Sequence, residues 1–475
     1  YIYIQYINGV ELTSHEVGHL PFDAEISDYV FSDSANWITI CINNTLTPLS
    51  IPQGEVVYHN DPSKYPPGYF TLDYSFDFFN YAGIHRPVFL YTTPQTHIDD
   101  ITILTNIQDG SGIVDYTISV NNPDSLSNCS VEIYDESDVI IESSNSCQGE
   151  ITIGEPNLWW PYLMSDDPGY QYTLRAYVTD SEGTVDVYPQ KFGIRTIAWN
   201  STTVTLNGKA LYLRGFGKHE DFDIIGKGVS YPLIVKDFSL LKWVGANSFR
   251  TSHYPYAEEI MDMADEEGIM VIDESPAVNL EDFGNDLLEK HKSIQAALYR
   301  RDKNRPSVIM WSVANEPRSQ QAPAGPYFGN LTDYVRSLDS TRPVTAAISQ
   351  SLSSDLASKS LDVIMLNRYY AWYSDTGHLN DPPFTWSEEY QGRLMIENFK
   401  AFDTLRESGF FFGEMIWNFA DFMTVQGTNR VGGNRKGVFT RERQPKLSAH
   451  LLRERYLSLA NQTSDSSLLW TKILA

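Results

Sequence analysis

Glu316 closes an apolar run, VIMWSVANEP (308–317), and a proline follows it at once. A carboxyl group at the rim of a dry, aromatic-lined mouth is poorly solvated, which favours its protonated form and suits a proton donor. The bland alternative is a glutamate that merely caps the next helix. Asn315 and Trp311 in the same run complete the pattern of a sugar site and weigh against that. A second candidate is the basic group Arg430, Arg435 and Lys436 within RVGGNRKG (430–437). In a chain of formal charge −26, such a cluster is a local attractor for an anion against the general field. A solvated basic loop is the commoner fate of such runs.

These residues need a scaffold that gathers strand ends. After about Ala198, β-rich runs alternate with helical periodicity. ALYLRGFGKH leads to a helix near Pro232–Val244, NSFRTSHY to one at Tyr256–Glu267, and IMVIDE to one near Asp286–Arg301. VIMWSVANE, PVTAAIS, VIMLNRYY and GFFFGEMIWNF follow. The rhythm predicts a TIM-type (β/α)8 barrel over residues 198–475. Polar residues close the strands (His219, Glu220, His253, Glu274, Glu316, Asn367 and Asn418), the barrel face on which chemistry happens. The count gives seven strands, not eight. The residues between Tyr370 and Gly409 contain a loop-like stretch and a helical one but no strand. Strand number, tilt and shear are tied together in a closed barrel, so losing one strand is not a small edit.

Upstream the texture is all β. Residues 1–94 carry short alternating runs (YIYIQYI, WITICI, FTLDYSFDF) split by turn-rich pieces. Residues 95–197 repeat that texture at the length and spacing of an immunoglobulin-like sandwich. The acidic balance excludes nucleic acid and anionic membrane surfaces as partners. No apolar run is long enough to span a bilayer. Opening inside a strand-like run without Met, the chain reads as a fragment or a processed product. Cys41, Cys129 and Cys147 form no metal-binding pattern; Cys129 and Cys147 flank a hairpin and are as readily two free thiols as a disulfide. Five Asn-x-Ser/Thr sites, at Asn43, Asn128, Asn200, Asn330 and Asn461, weakly favour a secreted route.

Several motifs together resemble the β-glucuronidases of glycoside hydrolase family 2. These are MWSVANEP, TSHYPYAEE, GFGKHED, LNRYYAWY, GEMIWNFADFMT and RVGGNRKGVFTRERQPK, with LPFDAEIS and FDFFNYAGIHRPVFLYTTP in the first region and HIDDITI, LWWPYLM and FGIRT in the second. The resemblance runs from Tyr1 to about Asn461 and implies a jelly-roll domain, here lacking its first half, before the sandwich and the barrel. It implies Glu316 as general acid/base, Asn315 as partner of the sugar 2-hydroxyl, and Asn434 and Lys436 as uronate-binding residues, with Arg430 adding charge nearby. Asp77, His253, Asn367, Tyr369, Tyr373 and Trp417 fall on sugar-site positions of the family. It implies a β-D-glucuronide or glycosaminoglycan substrate, no cofactor or metal, a homotetramer, and a lysosomal or secreted setting.

Retaining glycosidases need two carboxylates. In the resembling family the nucleophile ends the seventh strand in a Glu-Tyr-Gly triplet, and no such triplet occurs in these 475 residues. In the family a helix and that strand separate the equivalents of GHLN and DPPFTWSEEYQ, where here Asn380 joins Asp381 directly. Glu414 lies too deep in its strand to replace the nucleophile, and supporting the barrel or pairing with a buried cation suits it better. Glu388 and Glu389 sit where a helix opens, and Glu274 reads as structural. The chain therefore reads as impaired in hydrolysis: a carbohydrate-binding pseudoenzyme, or an incomplete gene model or splice form of an active enzyme.

Overall fold

A computed structural model describes residues 2–79, 81–374, 384–428 and 430–463. The Asn380–Asp381 junction lies outside the described residues.

The seven apolar runs of the third region form one parallel sheet. Its strands are β1 (Leu213–Lys218), β2 (Ser248–Thr251), β3 (Met270–Glu274), β4 (Val308–Asn315), β5 (Val344–Ile348), β6 (Val363–Leu366) and β7 (Gly413–Trp417). The order is β6-β5-β4-β3-β2-β1-β7, a curled TIM-type sheet with seven strands among the described residues. Among the described residues no pairing joins β6 to β7, and between Asn367 and Phe412 only a helix occurs.

Strands β1 to β5 are buried along their whole length, as expected of parallel strands covered on both faces. The two flanking strands are not. Ile364 and Leu366 of β6 are 42% and 47% exposed, and β7 is half-buried at four of its five positions. These apolar side chains lie uncovered on edges that have no partner strand among the described residues.

Helices α1 (Tyr231–Val244), α2 (Glu258–Glu267), α3 (Asn285–Asp302), α4 (Ala324–Leu338), α5 (Glu388–Arg406) and α6 (Leu447–Thr463) surround the sheet. Helix α2 starts two residues later than the sequence predicts. Pro255 precedes Tyr256, whose ring is fully buried and whose hydroxyl donates to the Lys218 and Ser252 carbonyls, so Tyr256 belongs to the core rather than to the helix. Helix α2 ends at Gly268 with φ +66°, where a side chain would press on the Trp160 carbonyl. Glu388 and Glu389 open α5 behind Ser387, whose hydroxyl accepts from the Tyr390 N–H.

The second region is an immunoglobulin-like sandwich. One sheet holds His97–Gln108, Ser111–Asn121 and Gln148–Ile153; the other holds Leu126–Tyr134, Ile140–Ser144, Tyr172–Asp180 and Val185–Phe192. Alternation sends Tyr172, Leu174, Ala176 and Val178 inward against Val114, Val131 and Ile133. Cys129 and Cys147 are bonded, tying the second sheet to the start of Gln148–Ile153. The bond closes a loop of 18 residues. Removing it with Cys129→Ser is expected to cost about 3 kcal/mol of sandwich stability, read as a lower unfolding midpoint in denaturant; an unchanged midpoint would refute the role. The sandwich is anchored to the barrel by Arg195, whose Nε donates to Pro306 O at 2.5 Å and Nη2 to Val308 O at 2.7 Å.

The first region is a partial jelly roll. It has a three-stranded sheet (Ile2–Ile7, Val10–Glu16, Ile38–Asn43) and a ribbon of Glu55–Tyr58 with Phe70–Asp73. The run FTLDYSFDF reads as one strand in the sequence, but the strand stops at Asp73. Phe76 and Phe78 turn away into the barrel core, where Phe78 packs 5.1 Å from Tyr254. Val88, Phe89, Leu90 and Tyr91 are bare at 60–79% exposure. Among the described residues no helix is long and apolar enough to cross a membrane.

Candidate active site

Chain reversal at the end of β4 lifts Glu316 to the barrel rim. Its φ is +51°, a left-handed value that costs a glutamate energy, and its N–H is held by Ala347 O at 2.8 Å. The side chain is half-buried. Oε1 accepts from Asn367 Nδ2 at 2.7 Å and from the Tyr369 hydroxyl. Asn315 lies beside it, its Oδ1 accepting from Asn367 Nδ2 and Arg250 Nη1, both at 3.3 Å.

Beneath them Glu274 is fully buried and holds the floor together. Its oxygens accept from Arg250 Nη1 at 2.7 and 2.6 Å, from Ser312 Oγ at 2.7 Å, and lie 2.9 Å from His253 Nδ1. Burial alone would raise this carboxyl; Arg250, His253 and Ser312 outweigh it and hold it below the ordinary range. The stability it contributes is present above the ordinary glutamate pKa and is lost as pH falls through the lowered one. Arg250→Met leaves that charge buried without its cation, and a loss of about 3–5 kcal/mol is expected in chemical unfolding. A variant as stable as the parent would refute the account.

The basic loop forms the opposite wall. Asp77, from the first region, reaches across to it: Arg430 donates from Nε and Nη2 at 2.7 and 2.8 Å, Asn434 Nδ2 at 3.1 Å and Thr424 Oγ1 at 2.7 Å. The Tyr373 hydroxyl accepts from Asn434 Nδ2 and Trp417 Nε1, each at 2.9 Å. His253 stacks on Trp417 with centroids 5.2 Å apart. The Lys436 ammonium lies 4.6 Å from the Tyr373 ring, 4.9 Å from Trp386 and 5.8 Å from Trp372. Burial and then the Arg430 charge push its pKa down to about 8. A cavity of about 450 Å³ adjoins this wall, lined in part by Trp372, Trp386, Gly432 and Arg435.

The wall and the rim meet through two rings, Tyr369 and Tyr373, with centroids 5.2 Å apart. Asp77, His253, Asn315, Glu316, Asn367, Tyr369, Tyr373, Trp417, Arg430, Asn434 and Lys436 thus lie in one connected cluster around the mouth, whereas Trp311 does not belong to it: its ring packs 6.0 Å from Tyr299 of α3 and its Nε1 donates to Asp339 Oδ2 at 2.8 Å. Three others belong to it: Arg250, Trp372 and Trp386. An arginine inside the strand run NSFRTSHY was the available signal for the first; the tryptophans flank Tyr373 and Glu388 in sequence but carry no spacing rule. Glu414 points elsewhere, gripped by Arg455 of α6 at 2.8 and 2.9 Å.

Two family models match this chain. "Glycosyl hydrolases family 2" matches residues 96–195, and "Glycosyl hydrolases family 2, TIM barrel domain" matches 197–388 and again 376–461. The chain belongs to glycosyl hydrolase family 2. Within the family it is 46% identical to the β-glucuronidase of Mus musculus over 98% of this chain and 78% of that protein. The alignment runs over 504 residues, longer than the chain itself. The solved β-D-glucuronidase of Dictyoglomus thermophilum superposes with a TM-score of 0.89 at 41% identity, covering 96% of this chain and 85% of that one. The β-glucuronidase of Ruminococcus gnavus, solved with D-glucuronic acid, gives 0.88 at 34% identity over 96% and 83%.

Proposed function

We propose that the barrel mouth holds the terminal β-D-glucuronate of a glucuronide or a glycosaminoglycan chain. Glu316 is its general acid/base, and this chain fails to complete hydrolysis because it has no nucleophile. The observation that carries the reading is the continuous path from Glu316 through Tyr369 and Tyr373 to Asn434 and Lys436. A proton donor and a cation suited to a uronate carboxylate thus belong to one network of contacts at the mouth. Asn315 serves the 2-hydroxyl, while Asp77, His253, Asn367, Trp417 and Arg430 shape the pocket.

The impaired half of the reading is supported by the unjoined edges of β6 and β7 and by the absence of a Glu-Tyr-Gly triplet. Glu274 does not stand in, since both its oxygens are engaged. Calorimetric titration with D-glucuronate, with D-glucose as control, tests the pocket: uronate-selective binding is expected, and equal or no binding refutes it.

A second reading treats the chain as an incomplete gene model or splice form of an active enzyme. It is favoured by the barrel-domain match breaking into two pieces that overlap at 376–388. The transcript across Asn380–Asp381 decides it: an in-frame segment ending in Glu-Tyr-Gly would establish this reading.

The division into 1–94, 95–197 and 198–475 and a homotetrameric assembly belong to the same proposal, the latter tested by light scattering. A lysosomal or secreted setting is supported by the Cys129–Cys147 bond, since disulfides persist in oxidising compartments.

A further inference from the structure

A second cluster of ionisable groups lies where the first region docks on the barrel. His19 is buried, its ring stacked on Tyr254 with centroids 4.7 Å apart, and its carbonyl accepts from Arg301 Nη1 of α3 at 3.4 Å. The His85 ring lies 6.1 Å from that of His19, and its Nε2 is buried with no hydrogen-bond partner among the described residues. From the loop after β1, Lys227 sends its ammonium against the rings of Tyr254 and Phe78, 3.4 and 5.3 Å from their centroids. Lys227 is buried, and Arg86 completes the basic side of the junction.

The acids beside them are already engaged. Glu220 accepts from Arg86 Nη2 at 2.7 Å and from the Ala257 N–H at 2.9 Å. Asp221 accepts from Arg441 Nε at 2.7 Å and Nη2 at 3.1 Å, from the Tyr81 hydroxyl at 3.2 Å and from the Met423 N–H at 3.0 Å. Tyr254 is held neutral by burial, and its hydroxyl lies 3.1 Å from His219 Nδ1. A proton added to His85 Nε2 would therefore be a buried N–H without an acceptor, close to two cations.

We propose that this junction is an acid-sensitive latch, which holds the first region on the barrel at neutral pH and opens as His19 and His85 take up protons. Burial, then Lys227, His85 and Arg86, hold His19 well below the ordinary imidazole range. Burial, then Arg86 and Lys227, push His85 down to about 4 against a weaker pull from Glu220. Both shifts are downward, so the stability these groups contribute is present above the ordinary imidazole pKa and is lost as pH falls below it. Lys227, pushed down to about 7 chiefly by burial, gains its charge over the same fall and adds to the repulsion. Asp77 adjoins Phe78, so each opening also withdraws its carboxylate from Arg430 and Asn434. Between pH 7 and 5 the opening is an excursion from a mostly closed state, so it is read as exchange protection and not as ligand affinity.

The test is amide hydrogen exchange of the full 475-residue chain at pH 7, 6 and 5, corrected for intrinsic rates. Peptides covering residues 15–22 and 70–79 report the junction, and residues 172–178 of the sandwich core serve as the internal reference. Each imidazole adds about 10-fold of opening per pH unit between its open and closed values, so junction protection should fall at least about 100-fold from pH 7 to 5 while the reference holds. His85→Leu, at a half-buried position, should shrink that fall by about 10-fold or more. His19→Phe, which keeps a ring on Tyr254, should do the same, with circular dichroism checking the fold of both. Junction protection that does not change with pH, or a fall of full size in both variants, overturns the latch. Equal loss of protection in the sandwich core overturns it too, since the whole chain would then be unfolding.

Discussion

A fluorogenic aryl β-D-glucuronide is expected to be hydrolysed by this chain at least ~10⁴-fold more slowly than by a glucuronidase that has both carboxylates. Retention requires a carboxylate to form the glycosyl-enzyme bond about 5–5.5 Å from the acid/base. Around Glu316 the described polar neighbours are amides, a phenol and the sealed Glu274 group. None is an available carboxylate, and a phenol pushed as far up in pKa as Tyr369, chiefly by burial and then by Glu316, is a poor substitute. Binding and proton donation remain, so the residual rate should exceed that in water without approaching an enzyme's. Grafting the missing helix and Glu-ending strand of a relative at Asn380–Asp381 should restore hydrolysis. Turnover by the unmodified chain at tens per second would sink the proposal that the nucleophile is missing.

Replacing Lys436 by alanine should weaken D-glucuronate binding about 30-fold, the effect of one charge-assisted contact of ~2 kcal/mol in a half-sheltered site. Arg430 does not compensate, because Asp77 already holds its guanidinium in a two-point pair through Nε and Nη2. Lys436→Arg should not restore affinity: a planar fork does not fit a place shaped by the rings of Tyr373 and Trp386 around a compact ammonium. The same site predicts a pH dependence. The ammonium is charged below its lowered pKa of about 8, so affinity should hold from pH 5 to 7 and decline as pH rises through 8. Calorimetry across that range checks both statements; constant affinity to pH 9.5, or a Lys436→Ala variant binding as the parent does, would contradict them.

The later strands of the barrel were legible as apolar runs closing in a polar residue, while β1 and β2, which carry Arg214 and Arg250 within them, were legible by their place in the strand–helix rhythm. Their number was legible too: the same rule finds nothing between Tyr370 and Gly409. Glu316, Asn434 and Lys436 came from motifs, and the structure gathers them because strand ends and one loop converge on a single face. What spacing does not carry is the contact of residues far apart in sequence. Asp77 meets Arg430 across 353 positions, and nothing in either neighbourhood names the other. Arg250 sits in an alternating strand where an inward cation is indistinguishable from an outward one until Glu274 is placed beside it. The cysteines stayed open for the same reason, since a hairpin brings two chains together without fixing which way their Cβ atoms point.

That Asp77 contact bears on how the protein can be divided. The carboxylate that tethers the barrel's basic loop comes from the first region, far upstream in the sequence. A barrel expressed by itself from its own first strand would keep Glu316, the amides and Lys436, yet Arg430 and Asn434 would lose their shared carboxylate and the loop would rest on its Phe422–Asn434 pairing and the Tyr373 contact. The first region thus lends a carboxylate to the wall of the barrel mouth, and a chain shortened past Asp77 loses that contact.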